Sequence, residues 1–291
     1  MTDTCVVANP AASSGKAGGR LEELSLHFPG CDVLATERKG HARELAARAV
    51  QEGARRVVAA GGDGTVNEVA SALIGTEAEL AVVPAGSGND YVRTFGIPSD
   101  LASAAQLARE GASSPVDAGR RDDGTWFFNV AGIGFDAFVA DRFNRSPGWM
   151  RRLGIRTRYY CAVIQAFARY PYPTARLAFD GEEIASNRIL LAAVGVCRYY
   201  GGGLAVCPEA DPTDGLFDVV WGEGLRLGEV VALMGSMPSG GHMRHPKVRS
   251  ARCRRIEVHC NPAVPCHVEG EIVAGSPFIA ESHSGALKLV R

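Results

Sequence analysis

The residue types best suited to chemistry lie in Gly61-Gly62-Asp63-Gly64-Thr65, directly after an apolar run that ends at Ala60. Three glycines within four positions, between a predicted strand and a predicted helix, leave backbone N–H groups and the positive end of the helix dipole directed at one place. Glycine also lets the backbone approach a bound anion closely. The alternative is a plain turn capped by Thr65, but such a turn needs one glycine rather than three. The segment therefore predicts a phosphate site.

Asp63 narrows the kind of phosphate ligand. A carboxylate inside a phosphate site repels the ligand unless a metal ion or another cation separates the charges. This favours a nucleotide bound with Mg²⁺ over a bare phosphate. The G-x-G-x-x-G pattern of dinucleotide-binding folds is absent from residues 61–69, which disfavours a dehydrogenase.

Two further loops follow predicted strands. Residues 9–16 read NPAASSGK and residues 84–90 read PAGSGND. The first is not a P-loop, because Pro10 stands where the motif needs glycine and Ala17 where it needs Ser or Thr. Each loop alone is an ordinary turn with an Asn or Asp cap. Because the carboxyl ends of parallel strands meet at one sheet edge, three such loops together predict a binding cleft.

Residues 1–120 alternate short apolar runs with helical patterns. In residues 41–52 the apolar positions recur at the spacing of one helical face. Strands that alternate with helices indicate βαβ units and a mainly parallel sheet. Strands are predicted at residues 5–8, 32–35, 56–60 and 80–83, and helices at residues 21–27, 41–52, 66–73 and 99–109.

Residues 121–291 are predicted to be mostly β, which suggests an antiparallel sandwich or split barrel. Only residues 159–169 and 228–234 have convincing helical patterns. The polar, glycine-containing residues 117–124 (DAGRRDDG) resemble a linker, so the predicted domains are residues 1–120 and 121–291. Strands are predicted at residues 126–131, 174–179, 188–196, 217–221, 255–260, 264–268 and 286–290.

Composition excludes several classes of protein. The chain has 291 residues, 46% of them hydrophobic, and a net charge of −1, so no nucleic-acid partner is expected. No run of about eighteen apolar residues and no secretory leader pattern is present, so membrane contact should be peripheral. The eight cysteines form no Cys-x-x-Cys pair, and we interpret them as reduced and cytoplasmic. One alternative is an irregularly spaced metal set: His242, His245, Cys253, Cys260, Cys266 and His267.

Two segments are rich in arginine although the chain is nearly neutral. Residues 142–158 and 244–255 each carry six basic side chains. Either segment alone is most simply a solvated surface. Together, with Trp149 and Met150 beside the first, they also suit an anionic membrane surface.

The three loops, in this order and spacing, resemble the catalytic domain of the diacylglycerol kinase family, especially its soluble bacterial lipid-kinase branch with the sphingosine and ceramide kinases. GGDGT alone is shared with NAD kinases, but the full series is more specific. The resemblance covers nearly the whole chain. It continues through NVAGIGFD at 129–136, GGGL at 201–204, PEA at 208–210, DGLFDV at 214–219 and VEGE at 268–271.

The resemblance implies an α/β nucleotide-binding domain of the Rossmann-like NAD-kinase/diacylglycerol-kinase type and a mainly antiparallel β-sandwich domain. It implies transfer of the terminal phosphate of ATP, with Mg²⁺, to a lipid alcohol. Glu271 matches the general base, with Asp63 and Glu269 as further catalytic residues, and a structural Mg²⁺ site matches Asp214 with the carbonyls of Asp211 and Leu216. The implied nucleotide-binding residues are Asn9, Pro10, Ala11, Ala12, Ser13, Thr36, Gly61, Gly62, Gly64, Thr65, Val66, Asn67, Glu68, Ser87, Asn89 and Asp90.

Three positions depart from the family pattern. Glu269 stands where the family has Asp, so the division of labour between Glu269 and Glu271 is open. Ser87 replaces Thr and keeps the hydroxyl, and Tyr91 is larger than usual and is expected to reshape the cleft mouth. The alternatives are an NAD kinase, a kinase of a non-lipid alcohol, and a non-catalytic nucleotide or lipid sensor. A homodimer is also left open.

Overall fold

The computed structural model describes residues 3–12, 17–144, 155–273 and 275–291. The first half of the chain forms a parallel sheet with strand order β2-β1-β3-β4 and helices on both faces, as predicted. Its elements are β1 (Thr4–Ala8), α1 (Ala17–His27), β2 (Asp32–Ala35), α2 (His41–Gln51), β3 (Arg56–Gly61), α3 (Asp63–Leu73), β4 (Glu79–Pro84), α4 (Asp90–Phe95) and α5 (Leu101–Glu110).

Successive side chains of each strand point to opposite faces of the sheet, and both faces are covered by helices. In β1, Val7 packs beneath α2 and α3, while Val6 and Ala8 face α1 and α5. The buried alanines of α2 recur at the spacing of one helical face, which places this helix flat on the sheet. The loops that follow β1, β3 and β4 therefore emerge together at one edge.

The second half is mainly antiparallel. Its elements are β5 (Ser113–Arg121), β6 (Trp126–Phe127), β7 (Val130–Gly134), α6 (Phe135–Asn144), α7 (Ile155–Arg169), β8 (Thr174–Phe179), β9 (Glu182–Ser186), β10 (Ile189–Gly195), β11 (Tyr199–Tyr200), β12 (Leu204–Ala205), β13 (Phe217–Glu223), α8 (Leu227–Ser236), β14 (Val248–Cys253), β15 (Arg255–Asn261), β16 (Cys266–Val268), β17 (Glu271–Val273) and β18 (Phe278–Val290). Strands β14-β13-β10-β7-β16-β17 form one sheet, which packs on β15 and β8 of the other. This confirms the predicted sandwich.

Strand β18 joins the two halves. Near its start it pairs antiparallel with β15, and near its end Leu289 pairs with Leu80 of β4 in parallel. In the described residues one ten-stranded sheet therefore runs from the first half of the chain into the sandwich. No local pattern in the sequence indicates this long-range pairing. We keep residues 1–120 and 121–291 as a proposed division of the chain into domains.

The predicted linker at residues 117–124 is wrong over residues 117–121, which belong to β5. Its polarity misled the prediction, because Asp117 is 2% exposed and does not face solvent. The Asp117 carboxylate accepts hydrogen bonds from Gly215 N at 2.7 Å and Gly285 N at 2.9 Å. It thereby ties β5 to the loop before β13 and to the irregular part of β18, where the strand register shifts.

Helices α4 and α6 were not predicted. Helix α4 has six residues and follows the PAGSGND loop, so it offers too little periodicity to detect. Helix α6 begins directly after Gly134 and is recognisable only through its packing on α7. Both helices carry acidic residues that line the site described below.

Replacing Asp117, whose buried carboxylate clamps β5 to Gly215 and Gly285, should destabilise the fold. In Asp117→Asn an amide N–H₂ would face a backbone donor, and the lost hydrogen bond should lower the free energy of unfolding by about 2 kcal/mol. Chemical denaturation measures this change. Asp122→Asn, at an exposed position in the same segment, is the matched control. Equal stability of the two variants would contradict the clamp.

Candidate active site

A cleft of about 570 Å³ lies where the loops after β1, β2, β3 and β4 meet. Its floor depends on a close backbone approach: a β-carbon on Gly86 would lie 2.6 Å from the Cα of Gly62. Neither position can carry a side chain without separating the two loops. The walls consist of Asn9, Ala11, Ala12, Thr36, Glu37, Arg38, Lys39, Ala42, Gly62, Asp63, Gly64, Thr65, Glu68, Gly86, Ser87, Gly88 and Glu271.

The loop after β1 is bound to the glycine turn. The Asn9 side chain donates to Thr65 Oγ1 at 3.3 Å and accepts from Ala11 N at 2.9 Å. The same residue thus orders its own loop and attaches it to the start of α3. The N-terminus of α3 faces this cleft, so its free N–H groups suit a phosphate.

Eleven of the residues predicted for binding or catalysis line this cleft, and several others do not. Val66 lies in the core, and Gly61 packs beneath Thr65. Asn89 exchanges hydrogen bonds with Gly86 and so holds its own loop. Asn67 lines a neighbouring cavity, Pro10 does not line the cleft, and Ser13 lies outside the described residues.

Glu68 lines the cleft with its carboxylate already engaged. Its two oxygens accept from Gly40 N at 2.8 Å and Ala42 N at 3.1 Å, at the start of α2. A residue with both oxygens bound to backbone is placed to position the loop after β2 rather than to contact a ligand directly.

The loop after β2 contributes cationic residues that the sequence prediction missed. Lys39 and Arg38 line the cleft, and Lys39 Nζ lies 2.5 Å from Glu271 of β17. Both side chains of this ion pair are more than half exposed. The sequence did contain a sign of them. Arg38 and Lys39 lie shortly after the predicted strand at residues 32–35, at the end of the strand where phosphate ligands bind in such sheets.

A second cavity of about 360 Å³ adjoins the first and shares Asp63, Ser87 and Gly88 with it. Four carboxylates line it: Asp63, Asp90, Asp136 and Glu269. We call it the acidic cavity. The Asp63 carboxylate accepts from Tyr91 N at 3.1 Å, and a β-carbon on Gly88 would lie 2.8 Å from its other oxygen.

Tyr91 does not reshape the cleft mouth as expected. Its side chain is 3% exposed and packs in the core against Phe95, so its size is absorbed away from the cleft. What Tyr91 supplies to the site is its backbone N–H, which holds Asp63.

Asp90 was predicted to bind nucleotide but lies in the acidic cavity. One of its oxygens accepts from Gly202 N at 2.8 Å. Burial raises the pKa of the Asp90 carboxyl, the Gly202 bond opposes the rise, and the Asp63 carboxylate adds to it. Asp90 thus connects the loop after β4 to the turn at residues 201–203.

Glu269 is anchored by backbone donors. One oxygen accepts from Phe128 N at 2.8 Å and Asn129 N at 2.7 Å, and its own φ of 54° marks a tight turn between β16 and β17. Burial raises the pKa of the Glu269 carboxyl to about 7; the two N–H bonds limit the rise and Asp63 adds to it.

A third cavity, of about 80 Å³, is apolar and shares Asp136 and Tyr200 with the acidic cavity. It lies in the sandwich beneath α7 and α8, and we call it the apolar cavity. Its lining includes Phe135, Val139, Val163, Leu190, Trp221, Leu225, Val230, Leu233, Met234 and Met237. The three cavities therefore adjoin in the order cleft, acidic cavity, apolar cavity.

Comparison with known proteins identifies this arrangement. Residues 3–121 match the family model for the diacylglycerol kinase catalytic domain, and residues 129–291 match the YegS C-terminal NAD kinase beta sandwich-like domain. This chain belongs to the diacylglycerol kinase family. A diacylglycerol kinase of Mycobacterium tuberculosis is 35% identical over 255 residues, covering 86% of this chain and 81% of that one.

Other members of the family are also similar. A probable lipid kinase YegS-like of Cronobacter sakazakii is 30% identical over 263 residues, covering 88% of this chain and 85% of its own length. A solved structure of a diacylglycerol kinase from Bacillus anthracis has a TM-score of 0.76 at 20% identity and covers 99% of this chain and 96% of its own. At that identity the structural likeness shows the fold alone.

In the present chain, the loop predicted to bind Mg²⁺ (residues 211–216) is polar and strongly acidic. Asp214 accepts from Leu216 N at 2.9 Å with one oxygen and pairs with Arg252 through the other. Asp218 Oδ2 is buried without a hydrogen bond, 3.5 Å from Arg252 Nε. Burial raises the pKa of Asp218 to about 6, and Glu209 and Asp211 add to the rise. Carboxylate and carbonyl oxygens are ligands that Mg²⁺ accepts, and in this structure Arg252 meets the charge of Asp214.

The described residues hold no group of three or more His, Cys, Asp or Glu side chains arranged as a metal site. A cation at residues 211–216 would therefore depend on backbone carbonyls as well as on Asp214.

The raised pKa of the half-buried Glu269 carboxyl should appear in the pH dependence of stability. The folded pKa of about 7 lies above the ordinary value of 4.5, so the residue's favourable contribution is complete below about pH 4.5 and is lost as the pH rises through 7. Glu269→Gln should remove this loss. Relative to wild type, the variant should gain about 2 kcal/mol in free energy of unfolding between pH 5 and pH 8.

Chemical denaturation at the two pH values measures this gain. Glu281→Gln, an exposed carboxyl on β18, is the control and should show no such gain. A Glu269→Gln difference that is independent of pH would contradict a buried charge at this position.

Proposed function

We propose that this protein transfers the terminal phosphate of ATP to a hydroxyl of diacylglycerol or a related lipid alcohol. The observation that carries the proposal is the sequence of three adjoining cavities. Asp63, Ser87 and Gly88 join the cleft to the acidic cavity, and Asp136 and Tyr200 join the acidic cavity to the apolar one. A phosphate donor, a hydroxyl and an alkyl chain are needed in that order for lipid phosphorylation.

The cleft suits ATP with Mg²⁺. Backbone N–H groups at the start of α3 and the cations Arg38 and Lys39 would hold the phosphates. Bound Mg²⁺ would neutralise charge between the phosphates and Asp63, which is what the family's chemistry requires. The residues around the cleft would then position the terminal phosphate beside the acidic cavity.

The acceptor would place its hydroxyl in the acidic cavity and its chain in the apolar cavity. The apolar cavity is far smaller than a long alkyl chain, so chain binding requires outward movement of the helices that cover it. Helix α8 is suited to this because Val230 is its only buried residue. Few buried contacts hold such an element in place.

We propose Glu271 as the group that receives the proton of the acceptor hydroxyl, and Glu269 as a positioning residue. One oxygen of Glu269 accepts hydrogen bonds from two backbone N–H groups, which holds the turn between β16 and β17. Glu271 makes an ion pair with Lys39, a side chain that bound phosphates would attract. Release from Lys39 would leave the Glu271 carboxylate available at the junction with the phosphate donor.

We also propose that Mg²⁺ binds residues Asp211, Asp214 and Leu216 as a structural ion. Asp117 bonds to Gly215 in the same loop, so a cation there would stiffen the contact between this loop and β5. The proposal is supported by two carboxylates, Asp214 and Asp218, that share one cation, Arg252, and by Asp211, which is near enough to raise the pKa of Asp218.

Incubation with labelled ATP and a panel of diacylglycerol, ceramide, sphingosine and soluble alcohols tests the proposed function. Wild type should label a lipid. Asp63→Ala should remain folded but lose turnover about a hundredfold, a barrier increase on the order of 3 kcal/mol, because the charge balance at the phosphates is lost. Labelling of a soluble alcohol alone, or near-normal turnover by the variant, would contradict the proposal.

Glu271→Gln keeps the size of the side chain but cannot take a proton. Its turnover should fall by roughly 10²–10⁴-fold with little change in ATP affinity, measured by steady-state kinetics and by nucleotide binding. Glu269→Gln is the control. If Glu269→Gln is inactive while Glu271→Gln turns over normally, the two roles are exchanged.

We further propose peripheral contact with anionic membranes. Val231 of α8 and Ile164 of α7 are exposed apolar residues, 39% and 51%, beside Val230 and Val163, which line the apolar cavity. Among described helices, none is long and apolar enough to cross a bilayer. The first arginine-rich segment lies largely outside the described residues. In the second, Arg249, Arg252, Arg254 and Arg255 each form ion pairs with acids.

Vesicle sedimentation should show binding that requires anionic lipid and weakens at high salt, since each basic residue near the surface contributes about 1 kcal/mol. Val231→Asn should weaken binding further, while Ile184→Asn, an exposed apolar residue on β9, is the control. Equal binding to neutral and anionic vesicles would contradict electrostatic attachment.

A further inference from the structure

A buried ion pair lies at the boundary between the acidic and apolar cavities. His267 of β16 and Asp136 of α6 are in contact, with His267 Nε2 2.9 Å from Asp136 Oδ2, and their side chains are 3% and 7% exposed. Because a carboxylate only accepts hydrogen bonds, this contact assigns the proton to Nε2. Neither residue has a role in the steps proposed above.

The backbone makes room for this pair. Gly132 of β7 lies directly opposite His267 in the sheet, and a β-carbon there would overlap both Asp136 Oδ2 and His267 Nε2. On the other side the Tyr200 ring stacks on the imidazole, with ring centroids 5.8 Å apart and planes 19° apart. The position and plane of the imidazole are therefore built into the fold.

The surroundings favour a charged imidazole. Burial lowers the pKa of His267, but the contact with Asp136 and the nearby Glu269 outweigh it, so the pKa lies above its ordinary value. Asp63 and Asp90 line the same cavity, and no Lys or Arg of the described residues does. Within that part of the chain, His267 is the one basic side chain that lines the acidic cavity.

The second nitrogen of His267 is left for a ligand. Nδ1 is buried and has no hydrogen-bond partner among the described residues. In the imidazolium form Nδ1 carries a proton, and an unmet buried donor costs about 1–3 kcal/mol. An oxygen of a bound molecule would satisfy it, whereas an ammonium group would not.

Building on the proposed function, we propose that the His267–Asp136 pair selects the class of acceptor. The pair sits where the polar head of a lipid meets its chain, because Asp136 lines both cavities. With His267 in place, Asp136 is neutralised and the site offers an N–H donor. It accepts an uncharged lipid with an ester or hydroxyl oxygen near the reacting hydroxyl, such as an acylglycerol. It offers no free carboxylate at this boundary to the ammonium of a long-chain amino alcohol, because the imidazole already engages Asp136.

Removing the imidazole should change this preference in a defined direction. In His267→Asn the Asp136 carboxylate becomes a bare anion at the head-to-chain boundary, which attracts an ammonium. In the double variant His267→Asn, Asp136→Asn that anion is gone. Asp136→Asn alone removes the anion together with the contact that favours a charged imidazole, so it should leave the preference close to that of wild type.

The test is the ratio of kcat/KM for 1,2-dioleoylglycerol to that for sphingosine, measured in identical mixed micelles at pH 7. Wild type should favour dioleoylglycerol at least tenfold. The ratio should fall tenfold or more in His267→Asn, chiefly through KM for sphingosine, and should stay within twofold of wild type in the double variant and in Asp136→Asn. Cooperative thermal unfolding and unchanged ATP binding establish that each variant is folded with an intact cleft.

A ratio that stays within twofold of wild type in folded His267→Asn overturns the assignment, as does a wild type that prefers sphingosine. If His267→Asn does not fold, the same fall in His267→Gln decides in its place. A wild type that phosphorylates neither lipid overturns the proposed function itself. An active wild type with an invariant ratio overturns only the role given to His267.

Discussion

The site depends on one arrangement: buried carboxylates whose charge is met by backbone N–H groups from distant parts of the chain. Asp90 is held by Gly202, Glu269 by Phe128 and Asn129, and Asp117 by Gly215 and Gly285. An ionised carboxylate is costly to bury unless such donors are present. Each of these bonds joins elements far apart in sequence, and the bond from Gly202 to Asp90 also joins the two halves.

This arrangement concentrates negative charge beside the place where a phosphate donor would bind. The charge is tolerable because the donors are fixed backbone groups and because the His267 imidazole contacts Asp136 within the cavity. It also sets the electrostatic character of the acceptor site. A hydroxyl entering this cavity would meet groups that accept protons, while the phosphates would remain on the side lined by α3 and by Lys39.

Glycine has a separate role in the site. Gly62 and Gly86 let two loops touch, and Gly132 makes space for the His267–Asp136 pair. All three lie in motifs that carried the family resemblance. At these positions the absence of a side chain is what allows a polar contact or a ligand to occupy the space.

The sequence predicted the fold class well because both halves have clear periodicity. Strands β1 to β4 and helices α2 and α3 were found near their observed bounds. It predicted a linker where β5 lies, because polarity normally marks exposure, and Asp117 is an exception that only its distant partners explain. Helix α4 was missed because six residues carry no periodic signal.

For the candidate site, the sequence by itself determined which residue types are present: glycine-rich loops after strands, an acid among those glycines, and two glutamates near the end of the chain. These are local patterns, and local patterns survive without a structure. Only the tertiary structure decided which residues share a cavity. Lys39 meets Glu271 because β17 lies beside the loop that follows β2. Asp136 meets His267 across 131 positions of sequence because β16 pairs with β7, and α6 begins where β7 ends. Contacts of that kind follow from strand pairing and packing between segments distant in sequence, and no local pattern of residue types encodes which segments will pair.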